Sequence, residues 1–336
     1  MMMILSFKER LKQFYSNFEF YLKPLFKILC TFIAFCVINN KIGYMTMLTQ
    51  PTVVGVASIM CGVLPCSLIV VILSLIIVGH LYALNMELAI IALILFVLMY
   101  LLYFKFTPKD GFVLFMVPIA FALNIPYVVP ILVGLALTPV SIVSVAFGVL
   151  VEKMMDYVSN NAVTINSVSS DSILKRMNIL LNGMFTDKTF YITMIVFAVV
   201  IIVVYILRTR SVDHAWMIAI IVGAICNVAG FIGAEVVLSI NTDIETSSLV
   251  IQTVIAALIA AVFNICVFSV DYSRTEHLQF EDDEYVYYVK AVPKINIAAP
   301  EVSVKRINTR RMKNVTKKKE PARPQAGKRK RVSRED

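Results

Sequence analysis

The side chains equipped for chemistry are few and poorly grouped. Among 336 residues there are three histidines and six cysteines, and no G-x-S-x-G, H-E-x-x-H, P-loop or kinase-like set occurs. General acid–base work needs two carboxylates held together, and Asp110 stands alone in its loop beside Lys109. The run Glu281-Asp282-Asp283-Glu284 imitates a cation site, yet it lacks EF-hand spacing and sits in a charged linker, so a solvated cluster is the plainer reading. Cys30, Cys36, Cys61, Cys66, Cys226 and Cys266 all fall in apolar segments, where a thiol behaves as a small hydrophobe. Cys61-x4-Cys66 has neither CxxC spacing nor companion histidines. This inventory predicts no enzyme, no catalytic residue, no metal site and no cofactor.

What remains is polar or irregular backbone in apolar surroundings. The stretch PIAFALNIPYVVPILVGLALTP (118–139) is apolar apart from Asn124 and Thr138, and Pro118, Pro126, Pro130 and Pro139 cut it into pieces too short to cross a bilayer. An unpaired backbone group in hydrocarbon costs several kcal/mol, so such a segment belongs inside a bundle or beside a cavity. Pro118, Asn124, Pro126, Tyr127, Pro130, Thr138 and Pro139 are therefore the candidate half-helix or cavity residues, with Asn124, Tyr127 and Thr138 expected to meet water. Asn227 lies on a stripe of small residues with Ala219, Gly223, Cys226, Gly230 and Ala234. Gly223, Asn227 and Gly230 then form a helix-packing face, with Asn264 on the next helix as a partner for Asn227 if about 7 Å of depth offset is absorbed.

PTVVG (51–55) followed by LPCSLIV (64–70) resembles PYVVP (126–130) followed by TPVSIVS (138–144). The two blocks are either related half-helix elements, which in transporters mark the central site, or independent Pro-kinked helices.

The elements that hold these residues are membrane helices. The chain is 59% hydrophobic and 16% charged, with mean hydropathy +0.81; an average soluble domain is about a quarter charged. Spans need roughly 20 apolar residues. They are read at about Leu22–Ile38, twice within 66–104 around a polar turn from His80 to Glu87, and at 190–207, 215–240 and 249–270. His80, Glu87 and Glu235 are expected at interfaces. The expected fold is an all-α polytopic bundle: an N-terminal arm (1–21), a transmembrane domain (22–270) with a broken region (111–157) and an external segment (158–188), a juxtamembrane segment (271–300), and a disordered basic tail (301–336).

Phe7, Leu11, Phe14 and Phe18, interleaved with Lys8, Arg10 and Lys12, make the arm either an interfacial amphipathic helix or a polar lead-in. No cleavable signal is apparent. Residues 301–336 hold 14 Lys+Arg against 4 Asp+Glu, so the tail carries +10 while the whole chain carries +9. Basic residues stay cytoplasmic, which places both termini, 105–110 and 208–210 inside, and 158–188 and 241–247 outside. Residues 51–64 must then cross as a short helix, and 111–157 once or three times, giving eight or ten crossings. The lipid bilayer is the first partner, with anionic headgroups for the tail; nucleic-acid binding has no supporting module. EYVYYVKAV (284–292) reads as a strand, with INIAA (295–299) as its return, or else as an extended linker.

At DYSRTEHLQFEDDEYVYYVKAVPK (271–294), and again through the broken region, the chain resembles a family of uncharacterised polytopic membrane proteins of Gram-positive anaerobes, some labelled ABC-transporter permeases. The resemblance implies a bacterial plasma membrane and transmits no site residues. Two functions remain in competition: a transport-related subunit paired with a cytoplasmic ATPase, or a scaffold that recruits envelope proteins through its C-terminal segment.

Overall fold

The computed structural model describes residues 2–167, 183, 185–210, 212–238, 245–267 and 276–291. Its principal helices are α1 (Met2–Ile42), α2 (Pro51–Val63), α3 (Cys66–Leu84), α4 (Met86–Phe106), α5 (Gly111–Ala122), α6 (Val128–Ala136), α7 (Ile142–Ser167), α8 (Lys188–Arg208), α9 (Ala215–Leu238) and α10 (Thr246–Val267). Two strands follow, β1 (Glu276–Glu281) and β2 (Val286–Ala291). Among the described residues, α1 from Asn17 onward, α3, α4, α8, α9 and α10 are long and apolar enough to cross a membrane, whereas α2 and α5 are apolar but short. The chain is a multi-pass membrane protein.

Local chemistry sets the element ends. The arm and the first span are two helical segments that meet at a kink at Phe18 (φ −113°, ψ 16°). Pro51 starts α2 at a position whose N–H has no helical partner. Leu64 is extended and Pro65 caps α3, so the chain reverses there. Asn85 alone separates α3 from α4, and its side chain accepts the Glu87 N–H.

His80 departs from expectation. It lies in the last turns of α3 and is fully buried in protein, away from water. Its Nδ1 accepts the Met45 N–H at 3.2 Å and its Nε2 lies 2.9 Å from Asn39 Oδ1, which puts the proton on Nε2. Asn39 donates onward to the Leu48 carbonyl. The 43–50 loop and α1, 35 and 41 residues away in sequence, supply the hydrogen bonds that water was expected to supply.

Two apolar cores form. The first gathers α1, α3 and α4 with Leu114, Phe115 and Ile119 of α5 and Val151, Met154, Met155 and Val158 of α7. The second gathers α6, α8, α9 and α10 with Val113, Val117 and Ala120 of α5 and Val145 and Val149 of α7. Spacings of three and four residues give α5 one face for each core. Thus α5 and α7 are the partition between two half-bundles.

The juxtamembrane strand is present as β2, but its partner lies upstream. β1 pairs antiparallel from Glu276↔Ala291 to Glu281↔Val286, and the acidic run supplies the turn. Asp282 Oδ1 accepts the N–H groups of Glu284 and Tyr285, which hold its carboxyl below the usual carboxylate range. The expected return at 295–299 and the tail at 301–336 lie outside the described residues.

Close helix approach yields a direct test. A Cβ at Gly134 of α6 would lie 2.8 Å from Val204 Cβ and 3.1 Å from the Ile201 carbonyl, whereas nothing lies within 4 Å of one at Gly55. Gly134→Leu should lower the thermal midpoint in detergent, consistent with an overpacking penalty of about 1–3 kcal/mol. Gly55→Ala should leave that midpoint unchanged or raise it.

Candidate functional site

The four-proline stretch folds as a helical hairpin inside the bundle. α5 rises 12 residues from Gly111, about 18 Å, and the chain then reverses into α6. At the base, the Ser141 hydroxyl donates to Asp110 Oδ2 at 2.6 Å, and Thr107 Oγ1 and Ser144 Oγ are 2.8 Å apart. Residues 111–137 therefore leave the bundle at the end where they entered.

The reversal is written in Asn124-Ile125-Pro126. Asn124 adopts φ +57°, a left-handed conformation that asparagine tolerates better than most side chains. The N–H groups of Asn124 and Ile125 donate to the Phe121 and Ala120 carbonyls at 3.0 and 2.9 Å, the bond pair of a Schellman C-cap. Pro126 then forbids continuation of the helix. Asn124 is exposed at the tip, and Thr138 is exposed at the base.

The prolines sit where a missing N–H matters least. Pro130 is the third residue of α6, whose N–H would have no intrahelical acceptor, and Pro139 opens a short 3-10 turn, Pro139–Ser141. Pro126 occupies the turn itself. Only Pro118 interrupts a helix, removing the usual donor to the Leu114 carbonyl. That carbonyl faces Gly148 of α7, where a Cβ would come within 3.0 Å of it. The void beside Pro118 holds only about 30 Å³ and is lined chiefly by apolar side chains, so no large aqueous chamber opens at this break.

Side chains from other helices satisfy the hairpin's remaining backbone. The Asn227 amide of α9 donates to the Tyr127 carbonyl at 3.4 Å, and the Tyr127 ring is buried against Phe197 and Phe231. At the other end of α6, the Arg208 guanidinium donates to the Leu135 carbonyl and, at 2.6 Å, to that of Leu137. The break after α2 is treated alike: Lys27 Nζ donates to the Leu64 carbonyl at 3.1 Å. The two blocks matched by sequence thus share a short helix, an extended leucine, a proline and a cation on that leucine's carbonyl.

The expected Asn227–Asn264 partnership is not formed. Asn227 turns to the hairpin instead, and the buried Oδ1 atoms of both residues lack a partner among the described residues. Gly223 and Gly230 lie against α8: a Cβ at Gly223 would meet Val204 Cγ2 at 2.5 Å, and one at Gly230 would meet Val196 at 3.0 Å.

A second polar feature escaped the sequence reading, which held that no two carboxylates are placed together. Glu152 and Asp156, one turn apart on α7, both pair with Lys41 of α1, the latter at 2.6 Å. Glu152 is 1% exposed. Lys153 turns to Asp187, the N-cap of α8, at 3.3 Å. The signal was the i, i+4 acid spacing inside VEKMMDYV (151–158), but this segment reads equally well as the start of an external loop.

Compared with known proteins, the chain matches no family model, no curated protein and no solved structure. Any assignment therefore rests on the geometry.

Removing the Arg208 cap should expose its role. Arg208→Met leaves two buried carbonyls without a strong donor, a loss of about 1–3 kcal/mol. The variant should melt lower in detergent than the parent, with Arg208→Lys between them because an ammonium lacks the fork that spans both carbonyls.

Proposed function

We propose that the protein is a transport-related, permease-like subunit of a bacterial plasma membrane, with eight crossings, both termini cytoplasmic, and α5–α6 as a re-entrant hairpin. The six long spans, α2 and α7 make up the eight. The observation that carries this reading is the hairpin's position: α5 packs on both half-bundles, α6 on the second, and Tyr127 beside the tip meets Phe197 and Asn227, midway along α8 and α9. Irregular backbone at that depth is costly unless it lines a path or joins moving parts. The basic loops and tail supply the orientation, the resemblance at 271–294 supplies the bacterial setting, and a cytoplasmic ATPase is the partner this reading expects.

The scaffold reading rests on a separate observation. The β1–β2 hairpin follows the last described span and exposes Tyr285, Val286 and Tyr288, a surface suited to a cytoplasmic partner.

Water access at the tip separates the two. In membranes carrying the otherwise cysteine-free protein, Asn124→Cys should react with a small water-soluble thiol reagent while Tyr127→Cys stays protected. Protection of Asn124→Cys in a folded protein would favour the scaffold, as would co-purification with envelope proteins instead of an ATPase.

A further inference from the structure

The ionic cluster at α1 and α7 is not charge-balanced. Three carboxylates, Glu152, Asp156 and Asp187, face two ammonium groups, Lys41 and Lys153. Lys153 is committed to Asp187, so Lys41 alone serves both Glu152 and Asp156. The side chains of Asp156 and Asp187 are 44% and 39% exposed, and water can solvate their charge. The Glu152 side chain is 2% exposed, and its Oε2 is buried with no hydrogen-bond partner among the described residues. Its α7 neighbours Val151, Met154 and Met155 are apolar and buried. A bare carboxylate oxygen out of water is among the most disfavoured groups a protein can hold.

We propose that Glu152 is a proton-binding site, with Oε2 as the atom that takes the proton. One proton, transferred from hydronium in the water at Asp156, converts the carboxylate to a neutral carboxylic acid: the hydronium O–H bond breaks as the Oε2–H bond forms, and water is left. Lys41 then serves Asp156, and the net charge of the five groups rises from −1 to zero. The ammonium already beside Oε1 disfavours a metal cation at the same carboxylate. The charges that act on Glu152 come from Lys41 on α1 and from Asp156 and Lys153 on its own helix, and Asp187 at the start of α8 pairs with Lys153. The inference does not depend on the transport reading, because proton uptake is a property of the folded protein whatever it carries.

Infrared pH titration of the full-length protein in lipid nanodiscs tests it. Exposed carboxylates titrate near pH 4, and the proposal requires a carboxylic-acid carbonyl band that persists at least one pH unit above that. The band should be missing in Glu152→Gln and kept in Asp156→Asn. Lys41→Met, which removes the counter-charge, should extend it to higher pH. Carboxyl-¹³C labelling of glutamate, which needs no substitution, should shift the band. A parent protein without the band above pH 5, a band that survives Glu152→Gln, or one unmoved by glutamate labelling would show that Glu152 does not bind the proton.

Discussion

A short helix packed among apolar neighbours ends in carbonyls that those neighbours cannot satisfy, and the cation placed on those carbonyls is the constraint on which this bundle depends. Arg208 meets it for α6 through the Leu135 and Leu137 carbonyls, and Lys27 meets it for α2 through Leu64. The helix dipole makes each C-terminus partly negative, so a cation is favoured there twice over. Arginine stands at the end with two carbonyls to reach, where its fork fits, and lysine at the end with one. Without these caps the short helices would have no stable end. The reversal into α6 is a separate device, the Asn124–Pro126 turn, and it leaves α5 free to divide the bundle.

That partition gives the architecture its functional sense. Because α5 and α7 each present one face to either core, the half-bundles meet along helices that are anchored at one end by Asp110–Ser141 and Thr107–Ser144. Toward the other end of α7, Lys153–Asp187 ties it to the start of α8. These contacts are polar and specific, whereas the helix faces between them pack through apolar side chains. Such a seam suits rigid-body rearrangement better than a single interdigitated core would.

Much of this was legible in the sequence, and the limits have physical causes. Spans follow from hydropathy because lipid demands it. The four prolines mark 118–139 as broken, but the hairpin with its tip at Asn124 depends on contacts between α5, α6 and other helices that spacing does not encode. Sequence places Arg208 only as a cytoplasmic charge, because its carbonyl acceptors belong to another element. His80 and Glu152 were hidden in the same way: each is stabilised by a helix far away in the sequence, His80 by Asn39 and Glu152 by Lys41. β1 carries few β-branched residues, so its pairing with β2 outweighs local propensity.

The central claim is that residues 111–137 enter and leave the membrane on one face. Single cysteines at Lys109 and Thr138 in intact cells and in inverted vesicles, probed with an impermeant thiol reagent, test it most directly. The account predicts that both positions are silent in cells and both label in inverted vesicles. Labelling of the two positions from opposite faces would contradict it.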